Sequence, residues 1–265
     1  MSAAFEPPPT HVLAAFGARN LEPELIGAGP LWRAGEAALR PATNPAQAAW
    51  VAQTMDALSV DKVRVARPLR STDGRWVVGG WAATRLVPGQ AEPRHDDVVS
   101  VAVRLHQATA GLPRPRFISA RRDVFATADR VAWGEEETQL NPELGGRLFD
   151  VLSGSRRDTA LRSQVVHGDL FGTVLFDGVE APAITDFVPY WRPAEWAAAV
   201  VVVDALAWGG ADDGILRRWT HLPEWPQALL RALLFRLAVH ALHPHSTPRS
   251  LRGLEHAAHQ ITALL

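Results

Sequence analysis

Apolar and polar residues alternate in short runs over the first third of the chain, then recur at helical spacing to its end. After a proline-rich lead-in over residues 1–10, "THVLAAFG" predicts a short helix with Thr10 as N-cap and Gly17 as its stop. "ELIGAGPLWRAGEAALRP", residues 24–41, predicts two or three short strands parted by "GAGP" and "AGE" turns. In "TNPAQAAWVAQTMDALS", Asn44 caps a helix and Pro45 takes its first position. Trp50, Val51, Thr54, Met55 and Leu58 line its apolar side. Two strands follow around an "STDG" turn, Lys62 to Pro68 and Arg75 to Thr84, and "LVPG" closes the region as a hinge. The order so far is β-β-β-α-β-β.

From Asp96 the period becomes helical. "DDVVSVAVRLHQATAGL" carries two acids in its first turn and Gly111 beyond its end. "LNPELGGRLFDVLS" predicts a second helix, and the Arg-rich stretch between them reads as irregular. Residues 192–210, "RPAEWAAAVVVVDALAWGG", are apolar on nearly every side and predict a buried helix. Helices over about Pro226 to Leu242 and Leu251 to Leu265 end the chain. A small β-rich lobe, a hinge and a larger helical lobe make an α+β, two-lobed, protein-kinase-like layout. It has an antiparallel N-terminal lobe with one helix (residues 1–89) and a helical C-terminal lobe (residues 90–265).

The 265 residues suffice for such a body, and 47% of them are apolar. A net charge of -1 supplies no field for nucleic acid or an anionic membrane. The longest apolar run, Ala197 to Val203, is too short to span a bilayer, and the N-terminus lacks a signal-peptide pattern. The expectation is a cytoplasmic protein. Without cysteine there is no thiolate chemistry, and Lys62 is the only lysine.

The chemistry concentrates in "VVHGDLFGTVLFDG", residues 165–178, and in "AITDF". Asp169 sits in a loop after a β-branched pair, and Asp186 ends a short strand seventeen residues later. Phosphoryl transfer asks for this: a carboxylate that takes or orients the hydroxyl proton, and a second that holds a cation against phosphate charge. Asp204, inside the apolar helix, needs partners there. It is assigned a supporting role, as is His167. "GEEE", residues 134–137, reads as a solvated helix start. His240, His243, His245, His256 and His259 have helical spacing but no carboxylate or cysteine companions, so no zinc site is expected.

"HGDLFGTVLF…AITDF" resembles the catalytic and metal-binding segments of the aminoglycoside phosphotransferase family. "LWRAGEAALRP", "GRWVVGGWAATRLVPG", "RVAWGE" and "DFVPYWRPAEWAAAVVVVDAL" resemble an actinobacterial phosphotransferase-like group, so the likeness runs from about Leu25 to Gly210. It implies an ATP- and magnesium-dependent enzyme acting on a small-molecule hydroxyl. Asp169 would be the base, Asp186 the main metal ligand and Thr173 an auxiliary one. Gly27 and Gly29 would lie near the phosphates, and "LVPG", with Arg85 before it and Val87 within it, near the adenine. The resemblance also exposes departures. Arg40 stands where the phosphate-binding lysine is expected and would be the phosphate clamp, although arginine is not the equivalent of lysine. Thr173 stands in place of an asparagine, Pro30 removes an N–H from the glycine loop, and the helix after Arg40 offers Gln47, Gln53 and Asp56 but no glutamate. A second reading follows from these departures: a kinase-like protein that has lost catalysis and binds a protein partner.

Overall fold

The computed structural model describes residues 5–26 and 29–265. In chain order the elements are α1 (Thr10–Ala15), β1 (Glu24–Leu25), β2 (Trp32–Ala34), β3 (Ala37–Pro41), α2 (Pro45–Ala57), β4 (Arg64–Val65), β5 (Pro68–Leu69), β6 (Val77–Val78) and β7 (Trp81–Arg85). Then come α3 (His95–Thr109), α4 (Val124–Trp133), α5 (Gly146–Ser153), β8 (Gln164–His167), β9 (Val174–Leu175), β10 (Ala183–Ile184), β11 (Pro189–Arg192), α6 (Ala194–Ala207), α7 (Ile215–Arg218), α8 (Trp225–Leu242) and α9 (Pro248–Thr262). They form two compact units. One runs to Ala91 and takes in Thr173–Phe187; the other comprises Glu92–Gly172 and Val188–Leu265.

In the first unit an antiparallel sheet has the order β1-β2-β3-β7-β5, with β6 also paired to β7. Strand alternation sends Leu39 and Ala37 to one face, where Val12, Leu13 and Phe16 of the α1 segment cover them with Trp32, Val78 and Trp81. Arg40, the next residue on β3 and opposite Ala82 of β7, belongs to the other face. Asn44 accepts from the Gln47 N–H, as the sequence predicts, while Ala52, Met55 and Leu58 are the buried positions of this segment. At its far end Arg67 donates to the carbonyls of Met55, Asp56 and Leu58, capping groups the helix leaves unpaired.

Two strand expectations are corrected here. Arg75 to Thr84 is not one strand: Gly79 and Gly80, both at positive φ, fold it into the β6–β7 hairpin. Lys62 to Pro68 is also broken. Lys62 itself is at φ 53, in a turn, and β4 leaves the main sheet to pair in parallel with β10, which pairs antiparallel with β9. This small sheet joins residues 173–187, which the sequence places with the helical lobe, to the first unit. Gly89 (φ +120) ties the "LVPG" segment to residues 173–187 within the first unit. A Cβ there would meet the Phe176 carbonyl oxygen at 2.6 Å, and the neighbouring Gln90 bridges Phe176 through both backbone groups.

In the second unit α6 is buried from Trp196 to Leu206, as its uniform apolarity requires, and α8 is buried along most of its length. The stretch read as irregular contains α4. Asp123 caps it by accepting from the Ala126 N–H, and Gly134 ends it at φ 74. "GEEE" therefore follows a helix instead of starting one. Glu135 and the buried Asp129 both grip Arg192 of β11, whose guanidinium lies 4.7 Å from the Trp133 ring, and Glu136 pairs with Arg130. α1 begins one residue earlier than expected: Pro9 is its N-cap and Thr10 is already helical. Among the described residues no helix is long and apolar enough to cross a membrane.

Candidate functional site

The first unit carries Asp186, Thr173 and Arg40. Asp186 follows β10, and Thr173 precedes β9 at the same end of that hairpin, where the Thr185 hydroxyl donates to the Thr173 carbonyl at 3.0 Å. Asp186 Oδ1 accepts from the Phe187 N–H at 2.7 Å. Its Oδ2 is ion-paired with Arg40 Nη1, while Arg40 Nη2 donates to the Thr185 carbonyl at 3.2 Å. The arginine in the lysine position thus lies on the carboxylate expected to hold metal, with both side chains about one-third exposed or less. Two readings of the sequence meet here in one contact: a phosphate clamp and a metal ligand.

The nucleotide-binding residues expected around them are placed as follows. Gly29 lies in the turn before β2, and its carbonyl accepts from the Leu31 N–H. Gly27 lies outside the described residues. Arg85 ends β7 with its side chain exposed and its N–H bonded to the Arg67 carbonyl. Val87 follows outside any strand, after Leu86 donates to the Glu36 carbonyl. Among the described residues no three His, Asp or Glu side chains gather into a metal cluster. His240 instead bonds the Leu144 carbonyl and the Ser250 hydroxyl.

The second unit carries Asp169, and its position is built from below. Val165 and Val166 bury β8, and β11 pairs with it antiparallel, Tyr190 opposite Val166. α3 pins the same strand: the Thr109 hydroxyl donates to the Val165 carbonyl at 2.7 Å, and the Gln164 amide to the His106 carbonyl at 2.6 Å. The His167 N–H donates to His106 Nε2 at 3.0 Å, and His167 Nδ1 accepts from the Asp169 N–H at 3.1 Å. Burial, helped by His167, pushes the His106 imidazole down to about 3, so it stays neutral and keeps Nε2 as an acceptor. His167 thus supports the loop backbone. Gly168 is required by closeness: a Cβ there would sit 2.4 Å from the Tyr190 ring, which packs edge-on against Trp196 and Phe235.

The Asp169 side chain is half exposed, and its Oδ1 accepts from Arg236 Nη2 at 2.8 Å. Arg236, on α8, also grips Asp204 of α6, with Nε on Oδ1 at 2.6 Å and Nη2 on Oδ2. Burial works against the Arg236 charge, but the Asp204 and Asp169 carboxylates outweigh it and hold the guanidinium above its ordinary value. Burial pushes Asp204 up, against the pull of Arg236. Asp204 therefore reaches Asp169 through Arg236. Neither Arg236 nor His106 is among the sequence candidates. The signal for Arg236 is the one that marks Asp204: a charge inside an apolar helix, "RALLFRLAVHAL".

No protein-family model matches the sequence, and no curated protein does. Solved structures do. An aminoglycoside phosphotransferase from Alicyclobacillus acidocaldarius superposes with a TM-score of 0.61 at 16% identity, over 99% of this chain and 96% of that one. Spectinomycin phosphotransferase APH(9)-Ia, in its AMP-bound complex, gives 0.57 at 11% identity, over 96% of both chains. A choline/ethanolamine kinase family protein from Mesorhizobium loti gives 0.50 at 17% identity, over 92% of this chain and 88% of that one. The chain therefore has the two-lobed, kinase-like fold of the aminoglycoside phosphotransferases, with an antiparallel sheet in its N-terminal region and helices in its C-terminal portion.

Proposed function

We propose that this protein transfers the γ-phosphoryl group of ATP to a hydroxyl of a small molecule. The observation that supports this best is Asp169, held by its backbone and one carboxylate oxygen yet half exposed, on a fold shared with small-molecule phosphotransferases. In the step proposed, the acceptor oxygen bonds to the γ-phosphorus as the bond to the β–γ bridging oxygen breaks. ADP leaves with that electron pair, and the hydroxyl proton passes to Asp169.

Magnesium fits the donors of the first unit. Asp186 offers a partly exposed carboxylate, and such an ion needs one or two of these besides phosphates and waters. Asp186 would hold it with Thr173 as an auxiliary oxygen, and its chemistry would be to neutralise phosphate charge. Arg40 now balances the Asp186 charge. A triphosphate gives that guanidinium a second anion, on which it can bond in two places. Bound to phosphate instead, Arg40 would leave Asp186 to hold the metal.

Calorimetric titration with ATP, with and without magnesium, on wild type and Asp186→Asn tests this, together with ADP release by wild type and Asp169→Asn. The expected result is magnesium-dependent binding lost in Asp186→Asn, and turnover that Asp169→Asn lowers by about 10²- to 10⁴-fold. The Arg40–Asp186 ion pair favours the second reading, a binding protein without catalysis. Binding that ignores magnesium, with no turnover, would decide for it.

A further inference from the structure

We infer that Arg236 is a positioning residue for Asp169 in the transfer step, an inference that rests on the phosphotransfer reading. Arg236 is 7% exposed and lies on α8, remote in sequence from the loop it reaches. Its planar fork is fixed by two bonds to Asp204, itself 1% exposed on α6. With the plane set, the remaining hydrogen of Nη2 has one direction, and Asp169 Oδ1 lies along it at 2.8 Å. The bond stops the carboxylate rotating about Cβ–Cγ, while the His167 ring holds the Asp169 N–H. Backbone and side chain of Asp169 are thus fixed from two different elements.

A purely structural role would need less. A buried ion pair contributes little net stability over a neutral pair of similar size. An arginine serving Asp204 alone would have no use for the contact to a half-exposed carboxylate. Lysine could supply the charge, but it has no fork with which to hold one carboxylate and aim at another. Arg236 touches neither nucleotide nor acceptor in this account; it acts through Asp169.

The test measures ADP release from ATP and magnesium with water as acceptor. There the water oxygen bonds to the γ-phosphorus, ADP leaves, and a water proton passes to Asp169 and on to solvent. Arg236→Met alone would strand the Asp204 charge in the core and endanger folding. The main variant is therefore the charge-neutral pair Asp204→Asn with Arg236→Met, and thermal denaturation verifies that it folds. Expected is a KM for ATP within about two-fold of wild type and a kcat lower by about 10- to 100-fold, the size of effect that misplacing a catalytic group produces. Arg236→Lys should fall between. Added to Asp169→Asn, the same pair should cost less than about two-fold more, because residues acting as one unit are not additive. An equal loss on both backgrounds, or wild-type kcat in the pair variant, overturns the inference and leaves the phosphotransfer reading intact. No turnover by wild type overturns both.

Discussion

Replacing His106 with glutamine should remove a defined part of the protein's acid sensitivity. The imidazole is 1% exposed, and its Nε2 accepts from the His167 N–H, so protonation would both charge a buried ring and break that bond. Burial, and then the neighbouring His167, hold its pKa at about 3, below the ordinary 6.5. The unfolded chain takes up a proton as pH falls through 6.5, whereas the folded chain does not until about pH 3. The contribution is therefore whole above pH 6.5 and shrinks as pH falls through that window. Between pH 8 and pH 5 the loss amounts to about 2 kcal/mol. Glutamine keeps an acceptor for His167 and has no charge to gain. Urea denaturation of wild type and His106→Gln at pH 8, 7, 6 and 5 measures the effect. The wild-type advantage, whatever its size at pH 8, should be smaller by about 2 kcal/mol at pH 5. Equal pH dependence in both proteins would refute the reasoning, because it would mean that His106 titrates as freely in the fold as out of it.

Two further outcomes follow from the packing. Gly168→Ala drives a methyl into the Tyr190 ring, which Trp196 and Phe235 hold in place. It should cost about 1–3 kcal/mol by denaturation and lower ADP release in proportion to the displacement of Asp169; an unchanged midpoint would contradict the close approach. Arg192→Met leaves the buried Asp129 without its bidentate partner and should cost about 3–5 kcal/mol, whereas Asp129→Asn with Arg192→Met should recover most of that loss. Additive losses in that double-mutant cycle would show that the two side chains do not form a unit.

Much of the architecture was legible because its signals are local. Asn44 and Pro45 start α2 through a cap that needs only neighbours in sequence, and the unbroken apolar run of α6 could only be buried. The same holds for Asp169 and Asp186, whose loops are marked by the apolar strands around them. Where the structure departs from the hydrophobic pattern, the deciding signal was a turn or a cap that the pattern does not carry. The strand Arg75 to Thr84 is split by Gly79 and Gly80, whose φ values are not written in a hydrophobic pattern. The arginines and acids that flank α4 mask its period, and only Asp123 and Gly134 mark its ends.

For the site, the sequence by itself singled out two candidate carboxylates and the positions that depart from the pattern they resemble. It could not determine where the arginines go. A guanidinium on a long side chain can serve any anion within its reach, and the tertiary structure selects which. β3 and the end of β10 bring Arg40 to Asp186, and α8 and α6 bring Arg236 to Asp204 and Asp169. The positions were readable because they depend on neighbours in sequence; the pairings were not, because they depend on elements that only folding brings together.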